Sequence, residues 1–302
     1  NPQDKLPPIV HVAGTNGKGS TVAFLRAMTA AEGLASHVYI SPHLVKFNER
    51  ITLAGEPISD GALADVLQRV IAANGDAALT FFEATTAAMF LAFSETPADI
   101  VLLEVGLGGR FDATNVITPA LSVITPIDYD HAEFLGRDLA GIAREKAGIM
   151  KPHAPVISAK QSELVAAVLR SESQKTRAPL FAWDEDYRAY VQQGRLIYES
   201  DNEFLDLPLP ALIGAHQTQN AGVAIAAAKA LKLTDTSIAK GLMAAVWPAR
   251  LQPLTSGVVA DMCRAEQAEL WLDGGHNTQA GAAVAAAMAD LEAADPRPLI
   301  LV

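Results

Sequence analysis

The chain has a single cysteine, Cys263, among 302 residues, which excludes an internal disulfide and any cysteine-rich zinc site. It also lacks an uncharged apolar run of bilayer length, and its first ten residues, NPQDKLPPIV, carry no basic segment followed by an apolar core. A cytoplasmic location is the resulting expectation, with Cys263 a packed or surface thiol. Positive charge is scarce: 23 Lys and Arg against 34 Asp and Glu leave a net charge of −11. Such a field disfavours nucleic acid and anionic membranes, so a negatively charged ligand must be gripped by a local group of cations. Neither an internal repeat nor a low-complexity linker interrupts the sequence. Hydrophobic residues make up 50%, enough core for one large domain or two.

What the chain does have is a glycine-rich turn. Residues His11 to Ser20 (HVAGTNGKGS) continue a short apolar stretch, Pro8 to Val12, and lead into a helical pattern. Gly14, Gly17 and Gly19 allow backbone N–H groups to converge on an anion, Lys18 adds a mobile cation, and a helix opening at Ser20 favours phosphate through its N-terminal dipole. The strict P-loop pattern is not met, because no glycine stands six residues before Lys18 and Gly19 separates the lysine from Ser20. A turn that merely joins strand to helix is the alternative. The lysine and the helix that follows favour phosphate, and hence a nucleotide.

Strand and helix patterns then alternate, which predicts an α/β fold with a mostly parallel sheet. Ser20–Glu32 reads as a helix closed by Gly33, and His37–Ile40 as a strand. Leu63, Val66, Leu67, Val70 and Ile71 mark an amphipathic helix over Asp60–Ala73, and another helix is expected over Phe82–Ser94. Asp99–Val105 and Leu121–Thr125 are apolar runs suited to parallel strands covered on both faces. Tyr187–Val191 and Arg195–Glu199 read as a hairpin, and Ala215–Leu231 as a long helix. After Trp247-Pro248, strands are expected at Val258–Asp261, Glu269–Leu272 and Leu299–Val302, around a helix over Thr278–Leu291. This tail reads as the start of a second, incomplete α/β unit, so residues 1–248 and 249–302 are expected to form separate domains.

Functional groups gather at the carboxyl ends of parallel strands. Glu104 ends one such run ahead of a glycine-rich turn and Arg110, where a metal ion beside nucleotide phosphates or a salt bridge would satisfy it. His131 follows the next strand after Asp128-Tyr129-Asp130, and could ligate a metal or cap a loop. Lys146 lies one helix further along, in a charged stretch. Near the other end, Asp273 and His276 sit where a strand gives way to a helix, as a possible site between domains or as a helix cap and an exposed loop residue.

The motifs GTNGKGS (Gly14–Ser20), SPHLVKFNERI (Ser41–Ile51), EVGLGGRFDATN (Glu104–Asn115), DHAEFLG (Asp130–Gly136), REKAGI (Arg144–Ile149), HQTQN (His216–Asn220), WPARLQ (Trp247–Gln252) and LDGGHN (Leu272–Asn277) together resemble the folylpolyglutamate synthase/dihydrofolate synthase family of the Mur ligase superfamily. The resemblance implies an N-terminal P-loop ATPase domain, a smaller Rossmann-like C-terminal α/β domain, and ATP held between them. It implies phosphate contacts from Thr15, Asn16, Gly17, Lys18, Gly19 and Ser20, and further nucleotide contacts from Asn220, Arg250 and Asp273. Ser41, Glu104 and His131 match ligands of Mg²⁺, of which two ions are expected, and Lys146 matches a lysine carbamylated by CO₂. Thr80, Phe81, Phe82, Glu83 and Phe111 match the pterin-side pocket, and His276 matches a histidine near the incoming L-glutamate.

The implied reaction activates a carboxylate of dihydropteroate or a reduced folate as an acyl phosphate, which the glutamate amine attacks to form an amide. Two anions meet in the first step, so Lys18 and the metal ions have the task of neutralising them. A monomer without nucleic-acid or membrane partners is expected. Set against what the resemblance implies, the N-terminal helical segment and the longer C-terminal domain are expected to be only partly included in this sequence, and residues 257–269 read as longer than the minimal form. A Mur-type ligase of nucleotide-linked cell-wall precursors is one alternative, which Ser41–Ile51 argues against. A regulator that binds nucleotide without turnover is another, which Lys18, Glu104, His131 and Lys146 argue against.

Overall fold

The computed structural model describes residues 1–130 and 136–302. Its main sheet contains β1 (Ile9–Ala13), β2 (Ser36–Tyr39), β3 (Ile51–Leu53), β4 (Glu56–Pro57), β5 (Ile100–Glu104), β6 (Leu121–Ile124), β7 (Val156–Ser158) and β8 (Leu180–Ala182). The spatial order is β4-β3-β2-β5-β1-β6-β7-β8. The six strands from β2 to β8 in that order run parallel, and β3 and β4 add an antiparallel edge. The chain steps outward from β1 in one direction to β2 and later returns past it to β6. The carboxyl ends of β5, β1 and β6 therefore lie side by side, the usual position of a ligand crevice in such sheets.

Side chains alternate across the sheet because the strand period is two. Val10, Val12, Leu102 and Val123 face helices α1 (Lys18–Ala31), α6 (Ala215–Ala230) and α7 (Asp235–Ala244). Ile9, Val101 and Leu103 face α2 (Asp60–Asn74) and α3 (Phe81–Glu95), while Ala13, Ile124 and Val156 face α4 (Leu139–Ala147) and α5 (Glu163–Thr176). A three-stranded antiparallel sheet, β9 (Tyr187–Gln192), β10 (Arg195–Ser200) and β11 (Glu203–Leu207), packs on the α6 side. The hairpin is thus the predicted one, with β11 added to it.

Two strand expectations are corrected near the C-terminus. Val258–Asp261 is the first turn of a helix, α8 (Val258–Ala265), not a strand. Two adjacent β-branched residues suggest a strand locally, but Gly257 takes a positive φ of 102° ahead of the segment, and Val258, Val259 and Met262 recur at helical spacing. Leu299–Val302 forms no strand and is exposed; an extended apolar segment needs a neighbour for its N–H and C=O groups, and no described strand pairs with it. Glu269–Leu272 contributes only β13 (Trp271–Leu272), paired with β12 (Gln252–Pro253), before α9 (Thr278–Ala294). Among the described residues no helix is long and apolar enough to cross a membrane.

Candidate active site

The turn after β1 is braced by the segment that follows β6. The N–H groups of Thr15 and Asn16 both donate to Pro126 O, at 2.9 and 3.3 Å. Thr15 Oγ1 donates to Asp128 O at 2.9 Å and accepts from the Asp128 N–H at 3.1 Å. A Cβ on Gly14 would stand 1.9 Å from Thr125 Oγ1, so only glycine allows this approach. Two of the turn's N–H groups are therefore spent on protein. What remains for an anion is the first turn of α1, whose leading N–H groups have no acceptor within the helix, together with Lys18 at its first position.

Around that helix end three charged side chains converge. Lys18 Nζ donates to Gly14 O and Thr15 O at 3.2 and 3.3 Å and stands 3.9 Å from Glu104 Oε1. Glu104 is buried, and burial pushes its carboxyl up to about 7, against the opposing pull of Lys18, the Ser41 N–H and Arg250. The Ser41 N–H reaches Glu104 Oε2 at 3.4 Å. Lys146, near the end of α4, is buried as well and donates from Nζ to Gly14 O at 2.8 Å. Burial first, and repulsion from Lys18 second, hold its ammonium down at about 7, with Asp130 and Asp112 pulling the other way. Lys18, Lys146, Asp130 and the Gly106–Gly108 turn enclose a small space of about 10 Å³.

A much larger cavity, about 930 Å³, opens on the other side of that turn. Thr80, Phe82, Glu83 and Phe111 border it, with Asp112 and Arg144. Glu83 and Thr80 also close the start of α3 as a reciprocal cap: the Thr80 N–H donates to Glu83 Oε2 at 2.9 Å, and the Glu83 N–H donates to Thr80 Oγ1 at 3.2 Å. The Phe82 ring occupies the space a Cβ on Gly106 would need, at 2.3 Å. Phe111 is 85% exposed at the rim. Phe81 does not border the cavity but meets Phe47 edge-on, with ring centroids 5.8 Å apart.

The third wall comes from α6 and the C-terminal segment. Buried Gln217 donates to Ser20 Oγ at 3.3 Å and accepts from Asn220 Nδ2 at 3.0 Å. Asn220 Oδ1 lies where a Cβ on Gly17 would be, at 2.3 Å, and the Trp247 indole does the same over Gly19, at 2.4 Å. Arg250 is near enough to act electrostatically on Glu104 and His216. Asp273 accepts from the Leu251 N–H at 2.8 Å and the Gly275 N–H at 2.7 Å, which folds the 249–276 region on itself. His276 is exposed, its Nδ1 3.0 Å from Gly274 O.

The structure thus brings Thr15, Gly17, Lys18, Gly19, Ser20, Ser41, Glu104, Lys146 and Asn220 to one rim. Asn16 contacts the C-terminal segment, through Asn277 and Gln279. His131 lies outside the described residues. Among the described residues no group of three or more His, Cys, Asp or Glu is arranged to hold a metal. Sequence reasoning missed Thr125, Gln217, Trp247 and Gln279 as neighbours of the phosphate turn. Gln217 and Trp247 stand in motifs already singled out, HQTQN and WPARLQ, but nothing in their spacing shows that they cover glycines.

The Mur ligase middle domain matches residues 12–228. A Bacillus subtilis (strain 168) dihydrofolate synthase/folylpolyglutamate synthase is 36% identical over 297 residues, 92% of this chain and 66% of the relative. E. coli FolC in complex with DHPP and ADP superposes with a TM-score of 0.86 at 32% identity, covering 99% of this chain and 68% of that one. A bifunctional folylpolyglutamate synthase/dihydrofolate synthase with Mn, AMPPNP and L-glutamate bound gives 0.85 at 32% identity, with 96% and 68% covered. The chain spans about two thirds of the length of these relatives. With a parallel sheet ending in a lysine-bearing glycine turn, and with these similarities over nearly its whole length, the chain belongs to the Mur ligase family, alongside the folylpolyglutamate and dihydrofolate synthases.

Proposed function

We propose that this chain carries the ATP-binding part of an ATP-dependent amide ligase that adds L-glutamate to dihydropteroate, to a reduced folate, or to both. One observation carries the reading: Leu107 and Gly108 line both the small charged space beside Lys18 and the large cavity beside Phe82. A pterin ring against Phe82 and Phe111 would direct its carboxylate past this turn toward a triphosphate on the helix α1 end. The relatives solved with nucleotide, DHPP or L-glutamate support the choice of substrates.

In this reading the carboxylate oxygen attacks the γ-phosphorus and ADP leaves, giving an acyl phosphate. The glutamate amine then attacks the acyl carbon and phosphate leaves with the former carboxylate oxygen. Lys18 neutralises the approaching anions, and the N–H groups from Gly17 onward hold phosphate oxygens. Asn220, Arg250 and Asp273 contact the nucleotide, and His276 the incoming glutamate. Ser41 and Glu104, with His131, would hold magnesium; a buried carboxylate whose one hydrogen-bond donor among the described residues is the Ser41 N–H at 3.4 Å has the chemistry of a cation ligand. Such an ion, in a count of two, supplies positive charge against the phosphates. Lys146, held near 7 by burial, has the neutral amine that CO₂ requires, so a carbamate there fits the site. The domain boundary follows Pro248, where the chain leaves the main sheet's layers for β12 and β13, and the enzyme is assigned to a reducing, cytoplasmic setting.

The test is glutamate-dependent ADP release by the full-length protein, with dihydropteroate and with a reduced folate side by side. Release with either substrate is expected. Release only with a nucleotide-linked cell-wall precursor, or with no acceptor at all, would overturn the reading.

A further inference from the structure

Asn16 stands in the phosphate turn, yet its amide group belongs to the other end of the chain. Its Nδ2 donates to Asn277 Oδ1 at 3.2 Å and to Gln279 Oε1 at 2.5 Å, and Asn277 Nδ2 donates back to Asn16 Oδ1 at 3.0 Å. Both amide hydrogens and the carbonyl are thereby engaged, while the Asn16 N–H goes to Pro126 O. Asn277 Oδ1 also accepts from the Ala280 N–H at 2.9 Å and so caps α9. The start of α9, the Asp273–Asn277 segment and the phosphate turn are tied into one connected unit across a separation of 261 residues.

We propose that Asn277 and Gln279 are positioning residues that latch the His276 side of the site to the phosphate turn through Asn16, and that this latch decides how faithfully ATP use is coupled to amide formation. The inference rests on the ligase reading above. An acyl phosphate has two fates. The glutamate amine can displace phosphate to give the amide, or water can displace it and return the free carboxylate. Each fate consumes one ATP and releases ADP and phosphate, so alignment of the glutamate side governs the ratio between them. Neutral, half-exposed amide hydrogen bonds change equilibria by a few-fold each, which suits a device that sets a ratio rather than one that switches turnover on.

The test measures ADP released per amide formed by the full-length protein at saturating pterin substrate and glutamate. The ratio should be about one in the unaltered protein, rise about twofold in Gln279→Ala, which leaves the helix cap in place, and about five- to tenfold in Asn16→Ala. Because both substitutions break the same latch, the double variant should resemble Asn16→Ala alone. A substitution that only weakened the fold would lower both products together. A ratio of about one in all variants overturns the latch while leaving the ligase reading standing. A second readout needs no turnover: Asn16→Ala should speed hydrogen exchange in the first turn of α9, which the latch ties to the phosphate turn. Exchange in α9 left unchanged by Asn16→Ala contradicts the latch, whereas absence of glutamate-dependent ADP release contradicts the ligase reading.

Discussion

On one side of Leu107 and Gly108, Lys18 and Lys146 with Asp130 border a space of about 10 Å³, and Glu104 lies next to it; on the other, Thr80, Phe82 and Phe111 border one of about 930 Å³. Beside the first lie two buried charged groups, Glu104 and Lys146, whose proton equilibria are displaced; the second is lined by the Phe82 and Phe111 rings together with charged groups such as Glu83, Asp112 and Arg144. The difference teaches where each kind of binding free energy comes from. In the small space, ligand charge would relieve the cost of burying Glu104 and Lys146 beside the half-buried Lys18. In the large one, apolar contact with Phe82 and Phe111 is joined by polar contacts spread over several side chains, so single substitutions there act on affinity more than on chemistry.

If that contrast holds, Lys18→Ala has the largest effect, a loss of about 100- to 1000-fold in glutamate-dependent turnover. Retention of a tenth of the activity would break the distinction. Lys146→Ala should lower turnover by about 100-fold while the protein stays folded by circular dichroism. Turnover close to that of the unaltered protein would remove the carbamate.

The next effect is one of stability. Glu104 is raised from 4.5 to about 7 in the fold, so the folded state holds a proton that the unfolded chain has released between those values. Stability without ligand is therefore complete below about 4.5 and is lost as pH rises to about 7, by on the order of 3 kcal/mol. Lys146, lowered from 10.5 to about 7, acts in the adjoining window, where stability returns as pH rises from about 7 toward 10.5. Glu104→Gln should abolish the fall below pH 7 in urea unfolding and keep the rise above it. An unchanged profile would show that Glu104 is not desolvated. Smallest of all, Phe111→Ala should raise KM for the pterin substrate about threefold and leave KM for ATP unchanged, because the ring is almost fully exposed. An equal effect on both constants would erase the contrast between the two spaces.

Much of this was legible in the sequence, for identifiable reasons. Within Asp99–Val105 and Leu121–Thr125, the strands β5 and β6 are buried throughout, so hydrophobic runs alone mark them as parallel strands, and both end within one residue of the expected bounds. Glycines announce the phosphate turn because no other residue fits against Thr125 and Asn220. Legibility failed where the determining partner is remote. That Pro126 O takes up the Thr15 and Asn16 N–H groups, or that Phe81 turns to Phe47 while its neighbour Phe82 faces the cavity, depends on pairings no local pattern encodes. The C-terminal segment is the least legible, since Val258–Asp261 and Leu299–Val302 show β-branched or apolar composition without the neighbouring strand that would make use of it.

The central claim is that a substrate carboxylate and the γ-phosphate of ATP meet at the Leu107–Gly108 turn and exchange an oxygen for a phosphoryl group. It is tested most directly by running the reaction with substrate labelled with ¹⁸O in its carboxylate and analysing the released phosphate by mass spectrometry. The account predicts that each phosphate released with amide formation carries one ¹⁸O atom; phosphate free of label would contradict it.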